Sequence, residues 1–478
     1  MGISGVSSWS TPRLTNIVHA FNNCKNLENI SALTNWDVSA VSNMQGTFNG
    51  CTKLSDLTPL KKWDTSSCIN TKELFQNCTS IRELDALADW QLQKDRNPSF
   101  MFYNCTSLED ISALTKWRFT SALYTNYLFG KCKSLSDVSV ISNWNFMSLT
   151  SMIGTFAECE SLTDISVIKH INTSKVTDFS HMFRGCKSLI SVEALDNLDT
   201  SSVTNIEQIF RGCSSLEDIS ALSNWDVHNI RNMSQAFRGC SSLTDLSALS
   251  NWVTSSLTNM YYMLADNSNL IDISGIKNFD TSHVTNMSGL LVYCVKIYDL
   301  NALSNWNVQK VTDVSSLLGG CSLIDDITPL GNWKTLSLTN MYNVLNSCAN
   351  IVDVTPLGNW DTSHVTNISD AFNGCINLEN ISALSKLDVS HVTNMDRTFR
   401  NCRSLVDVSA LALWNVSNVK TFDSTFENCI KISNMDRLNN WDVSNGTSFK
   451  NMCSNAKHPT FKRKGSWNSS GTFVPLAS

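Results

Sequence analysis

Charge is scarce in this chain: Asp, Glu, Lys and Arg make up 16% of 478 residues, and the formal net charge is only −6. Without a basic stripe, nucleic acid is not an expected partner. Long apolar runs are missing too, and none approaches the roughly 18 residues that cross a bilayer, so no transmembrane segment is expected. Residues Met1 to Arg13 lack the basic and then apolar stretches of a secretory signal. Because Trp9, Asn16 and Phe21 already fall on periodic positions, the chain opens inside a repeat and reads as truncated at its start. Cysteines spaced two to four apart, as zinc sites want, are lacking. Ser, His and Asp are common, but no nucleophile stands out with its base, so no catalytic site is expected.

What is present is a period. Cysteine recurs every 27 residues from Cys24 to Cys240 and again from Cys294 to Cys429, with Asn267 at the one skipped place. A fixed period of this length is the signature of a solenoid, in which each repeat packs only on its neighbours. One continuous array of about 16 to 17 repeats is expected over residues 1–455, followed by a tail at 456–478.

Counting from the cysteine as position 0, position 3 is Leu or Ile in all sixteen units from Leu27 to Ile432, and positions 6 and 9 are aliphatic throughout. Position 12 is Trp in thirteen of seventeen windows, Trp225 among them, and position 24 is Phe or Leu. Positions 3 to 9 (Leu216, Ile219, Leu222) read as a short strand with positions 5 and 7 outward. Met233, Phe237 and Cys240 are spaced four and three, which predicts a short helix. Thr204, Thr258 and Thr393 then fit as its N-caps, and Gly50, Asn104, Gly239 and Gly374 as its left-handed C-caps. The expected class is an α/β repeat solenoid, each unit holding one short strand, a Trp-bearing turn and one short helix.

Stacking turns each position into a column. Cys213, Cys240 and their equivalents would lie about 4.8 Å apart. Buried reduced thiols packing as small hydrophobes, disulfides between rungs, and a metal array are the three alternatives. The first is favoured, since Cys68 and Cys453 stand at other inward positions and an odd total of seventeen cannot pair completely. Asp218 belongs to an outward Asp column at position 5, from Asp56 to Asp407. Such carboxylates could collect calcium weakly, or simply accept backbone N–H groups in a turn, and the turn role is favoured; no cofactor is expected. Asn232 represents an Asn column at position 19, expected to bond along the stack. His283, His364 and His391 share position 16 and are expected in a solvated turn.

The recurring string NMSxxFxGCxSLxDIS-x-L-x-NWDVS, carried here by Asn232, Met233, Phe237, Gly239, Cys240, Leu243, Trp225, Asp226 and Val227, resembles the BspA-type leucine-rich-repeat surface proteins of bacteria, known also from mycoplasma lipoproteins and Listeria-type surface repeats. The resemblance covers Trp9 to about Cys453. It implies a leucine-rich-repeat fold and a non-catalytic protein, at the cell surface or secreted, that adheres to a host or neighbouring-cell component, either protein or glycan. The same repeats in an intracellular or secreted scaffold or effector are the alternative, which reduced cysteines would suit.

One block departs from the pattern. Residues 252–348 carry Leu264, Leu291, Leu318 and Leu345 at the Phe position, contain Asn267, and hold five of the eight tyrosines: Tyr261, Tyr262, Tyr293, Tyr298 and Tyr342. Compensated drift of the core accounts for the leucines. The tyrosines are also the candidate aromatic patch for a partner. The tail carries Lys462, Arg463, Lys464 and Trp467, and reads as a C-terminal cap or a linker.

Overall fold

The 27-residue interval is one turn of a coil, and backbone hydrogen bonds show how successive turns stack. The structure, a computed structural model, describes residues 11, 14–461 and 465–476; Trp9 and the basic run Lys462–Lys464 lie outside the described residues. The chain forms two units, one holding the residues up to Ile230 with Gly239–Ser242, the other Arg231–Arg238 with the residues from Leu243 on. Each unit is a stack of coils, so the fold is a leucine-rich-repeat solenoid.

The elements within a coil differ from the sequence expectation. The apolar run at positions 3 to 9 is not a strand. Leu54 N–H bonds back to the Cys51 carbonyl at 3.0 Å, and a 3-10 turn, Thr58–Leu60 in this coil, starts at position 7. Among the described residues of this run, bridges between coils form only at position 5, as single parallel pairs such as Glu83↔Asp110 and Asp353↔Asn380. Pro59, Pro329 and Pro356 at position 8 suit the second residue of such a turn and would disrupt a central strand.

The expected helix is absent as well. In the coil beginning at Cys294, Val314, Ser316, Leu318 and Gly320 donate their N–H groups to Asn340, Tyr342, Val344 and Asn346 of the next coil, at 3.2, 2.8, 3.1 and 2.7 Å. The residues between them, Leu317 and Gly319, donate three residues back within the coil, at 3.1 and 3.2 Å. Left-handed residues at positions 22 and 26, here Ser316 (φ 56°) and Gly320 (φ 80°), make this alternation possible and a helix impossible. The result is a ladder of tight turns. It places apolar side chains four and three apart, the same spacing a helix would give. The left-handed conformation expected at Gly50, Asn104, Gly239 and Gly374 is present, but it closes a turn, not a helix. The expected N-cap threonines instead run between coils: the hydroxyls of Thr204, Thr258 and Thr393 donate to carbonyls 27 residues earlier, at 3.2, 2.9 and 3.2 Å.

Inside each stack the apolar columns touch along their length. Phe48, Phe75, Phe102 and Phe129 stack with centroids 5.6–5.7 Å apart, as do Trp333 and Trp360 at 5.8 Å. Leu264, Leu291, Leu318 and Leu345 take over the Phe column and are fully buried. After the last coil, strands β1 (Gly465–Trp467) and β2 (Phe473–Pro475) form an antiparallel hairpin. Gly471 O and Thr472 Oγ1 accept from the N–H groups of Cys453 (3.0 Å) and Asn451 (2.8 Å), the donors that elsewhere reach the next coil. Phe473 packs on Phe449 at 5.3 Å. The hairpin thus pairs two of the ladder donors of the last coil.

Candidate functional site

Most columns are fully engaged in holding one coil to the next. From Cys51 to Cys429, each in-phase thiol donates to the carbonyl thirty residues earlier; Cys213 reaches Phe183 O at 3.1 Å and Cys240 reaches Phe210 O at 3.2 Å. Burial pushes the thiols up, Cys213 to about 12, which keeps the proton on sulfur and the bond intact at neutral pH. All seventeen cysteines are free thiols, Cys24 exposed and the rest buried. Asn267 substitutes for the missing thiol in the same role. Its Nδ2 donates to Phe237 O at 3.0 Å and Leu264 O at 2.8 Å, while its buried Oδ1 has no partner.

Trp225 Nε1 donates to Leu195 O at 3.0 Å, a bond repeated by Trp333 to Leu303 O at 2.9 Å and by other members of the column. Asp218 Oδ1 accepts the Ser220 N–H at 2.8 Å and thereby starts the 3-10 turn Ser220–Asn224. Hydrogen bonds from Ser220 hold this carboxyl below its ordinary range. Asn232 Oδ1 accepts the Ser234 N–H at 3.0 Å in the same manner, and its backbone bridges Asn259. His283, His364 and His391 are exposed, each ring Nδ1 lying 3.0–3.2 Å from the hydroxyl of the preceding serine.

The five tyrosines divide between two places. Tyr261 and Tyr262 touch at 4.5 Å between centroids, and the Arg238 guanidinium lies 4.8 Å over Tyr262 while its Nε bonds Asp266 at 2.7 Å. Tyr342 repeats the position of Tyr261 three coils later. Tyr262 and Tyr293 occupy left-handed positions, and their rings fill the space beside Gly289 and Gly320 where a side chain of those residues would stand. These four belong to the tight-turn run. Tyr298, at position 4, lies apart on the edge formed by positions 1 to 5.

That edge changes character between the units, which the sequence reading missed. In the first unit positions 1, 2 and 4 are polar and laced by ion pairs: Lys53–Glu28, Arg82–Glu109, and Glu160 with both Lys133 and Lys187, at 2.9–3.4 Å. In the second unit the same positions expose Ile271, Val295, Tyr298, Leu323 and Val352, with Tyr298 60% accessible, and Ile376, Val406 and Ile430 in the three coils that follow. Ile190 is the one large apolar residue exposed at these positions among the described residues of the first unit. Beside this stripe run the exposed carboxylates of Asp272, Asp299, Asp325, Asp326 and Asp353. Between Ile271 and Tyr298 a surface depression of about 580 Å³ is lined also by Asp272, Ser274, Lys277 and Asp299. The signal was available as a loss of Ser, Thr, Glu, Lys and Arg at three positions, but those positions carry no fixed residue and so form no visible column.

A second departure is internal. Asp95 takes position 17, where most coils place Val, Ile or Leu, and is completely buried. Its Oδ1 accepts the Asn97 N–H at 3.0 Å and its Oδ2 the Thr71 hydroxyl. Burial raises its carboxyl to about 6 despite these bonds. Cys68 in the preceding coil and Ala122 in the following one occupy the same column. Among the described residues no cluster of three or more His, Cys, Asp or Glu is arranged to hold a metal, and no helix is long and apolar enough to cross a membrane.

The family described as "Mycoplasma protein of unknown function, DUF285" matches residues 2–117, 99–217, 190–274, 266–353 and 339–467. The chain belongs to the DUF285 family. Successive DUF285 matches overlap, as expected where one coil motif recurs and any neighbouring set of coils satisfies the same pattern. Comparison with curated proteins gives no match. Among solved structures, the chain is similar to a leucine-rich-repeat protein of Bacteroides ovatus, at 14% identity over 77% of this chain and 81% of that one, TM-score 0.32. It is also similar to a leucine-rich cell surface protein of Faecalibacterium prausnitzii, at 15% identity over 64% and 80%, TM-score 0.30. A third is a leucine-rich-repeat protein of Eubacterium ventriosum, at 13% over 75% and 87%, TM-score 0.31. These likenesses are remote, and the fold assignment rests on the DUF285 coil geometry itself.

Proposed function

We propose that this chain is a non-catalytic binding solenoid, at the cell surface or secreted, that adheres through an extended face to a protein or glycan of a host or neighbouring cell. One observation carries the reading. The regular columns are engaged in packing and in hydrogen bonds within and between coils, yet the second unit exposes large apolar side chains along its edge that stacking does not require. The resemblance to BspA-type surface proteins supports the location; of the five tyrosines Tyr298 lies on this edge, while those at 261, 262, 293 and 342 belong to the tight-turn run and offer a second contact place. No cofactor is needed, since the Asp side chains at position 5 already accept backbone N–H groups.

Incubating the intact chain with a glycan array and with surface-protein extracts tests this. Saturable capture that weakens when Tyr261, Tyr298 and Tyr342 are replaced by Ala is expected. Absence of any saturable partner sinks the proposal. Sixteen buried thiols suit the second reading, an intracellular or secreted scaffold or effector with the same repeats, in its intracellular form. Protease shaving of intact cells that leaves the protein untouched would establish that alternative.

A further inference from the structure

We propose that the edge of coils 267–352 is a docking site for a polypeptide segment bearing alternating apolar and basic side chains, with one residue anchored in the depression between Ile271 and Tyr298. The inference rests on the binding function proposed above and names the chemistry of the partner.

Three observations converge on this edge. The apolar residues Ile271, Val295, Tyr298, Leu323 and Val352 lie on four consecutive coils and are all exposed, and Ile376, Val406 and Ile430 continue the row singly on the next three. At a coil spacing of about 4.8 Å they cover a stripe about 14 Å long, the reach of four or five residues of extended chain. Asp272, Asp299, Asp325, Asp326 and Asp353 run beside the stripe, against the single lysine Lys296 at positions 1 to 5 of these coils. Lys277 also lines the depression, so five carboxylates face two lysines. An apolar strip beside this acidic excess selects a ligand that combines apolar and cationic groups, and disfavours acidic peptides and anionic membranes.

The depression supplies the specific element. Equivalent recesses recur elsewhere on the stacks, but those near residues 55–86, 163–221 and 379–410 are lined at positions 4 and 5 by Ser, Thr, Asp, Glu or Asn. Among these recesses, only the one between Ile271 and Tyr298 is lined by two exposed apolar side chains at position 4, together with Asp272, Asp299 and the single cation Lys277. A Lys or Arg of the partner fits there: its aliphatic stem packs on Tyr298 and its charge meets the two carboxylates.

The Asp side chains can be neutralised without disturbing the fold. Asn29, Asn380 and Asn434 occupy position 5 in other coils and accept the same backbone N–H, at 2.6–3.0 Å, as Asp272 and Asp299 do at 2.7 Å. The test uses the full chain and labelled twelve-residue peptides of alternating Leu and Lys, Leu and Glu, or Ser and Lys, followed by fluorescence anisotropy. The Leu–Lys peptide should bind at least tenfold more tightly than the other two. Asp272→Asn with Asp299→Asn, and separately Tyr298→Ser with Ile271→Ser, should each weaken it about tenfold. The Asn pair should also flatten its salt dependence. The control pair Asp56→Asn with Asp164→Asn makes the same charge change on the first unit and should leave binding unchanged.

Equal binding of Leu–Glu or Ser–Lys peptides overturns the proposal, as does equal weakening by the control pair. If the intact chain captures a surface partner that none of these variants affects, the edge is not the site while the binding function stands. If neither peptide nor surface partner binds, both fall.

Discussion

Asp95 gives the sharpest physical test of the stack, because its ionisation opposes folding. A carboxyl whose ordinary value is 3.8 is raised to about 6 in the folded coil by burial. Between these two values the folded chain holds a proton that the unfolded chain has lost. Stability therefore falls as pH rises through this window, and the penalty is complete above about pH 6. At about 1.36 kcal/mol per pH unit, it reaches about 3 kcal/mol. Asp95→Asn removes the ionisation and keeps an acceptor for the Asn97 N–H. The variant should gain about 2–3 kcal/mol over the parent at pH 8 and almost nothing at pH 4.

Many other carboxylates titrate in the opposite sense. Asp56, Asp218 and Asp361 are lowered by their serine or threonine hydrogen bonds, so their contribution is lost on acidification. Only the difference between parent and variant at each pH isolates Asp95. A stack of coils need not unfold in one step, so the assay must be local. Hydrogen exchange of amides between Thr71 and Asn97, corrected for intrinsic rate and compared at pH 4 and pH 8, reads the relevant opening. Equal gain at both pH values, or a loss at pH 8, refutes the argument that the buried charge is uncompensated.

The remaining columns make equally direct predictions. Asn267→Cys should stabilise the second unit by about 1–3 kcal/mol in urea unfolding, since it restores the thiol donor and removes an orphaned buried oxygen. Titration with an aromatic disulfide should find one fast thiol, Cys24, in the native chain and all seventeen after unfolding; several fast thiols would contradict the buried column. Gly154→Ala should cost about 1–2 kcal/mol or more, because the residue is left-handed (φ 57°) and the Tyr127 ring fills the space for its Cβ. Adding Tyr127→Ala should recover part of that loss in a double-mutant cycle on urea midpoints, and strict additivity would show the ring to be irrelevant.

The columns were legible from sequence because each stacked position sees the same neighbours, so Leu, Trp, Phe and Cys recur at a fixed interval. The local elements were not. Apolar residues four and three apart suit both a helix and a ladder of tight turns, and the choice between them lies in the residues between. Gly46, Gly154 and Gly289 at position 22 were the available sign, since glycine in mid-helix is unfavourable while a left-handed turn favours it. Pro59, Pro329 and Pro356 marked the 3-10 turns in the same way. The role of cysteine was half visible: inward placement followed from the period, but the S–H bond to a carbonyl needed coordinates. That bond explains why Asn can replace Cys at 267 although Asn is no hydrophobe.

A repeat in which nearly every regular residue bonds its neighbour has little chemistry to spare for a ligand, so departures from the pattern carry the information, and burial sorts them. Asn267 departs in residue type but donates to the same carbonyl position as the thiols, so it substitutes within the stack. Asp95 departs inside the core and weakens its own coil above pH 6, which a stack of many coils can tolerate. Ile271, Tyr298 and Leu323 depart where no neighbouring coil covers them. Solvating these three gains the fold nothing, and apart from Ile190 the coils of the first unit hold the same backbone with Ser, Thr, Asn, Glu, Lys or Arg at their positions. Their apolar character is therefore not demanded by stacking, which is the ground on which the contact proposed above rests.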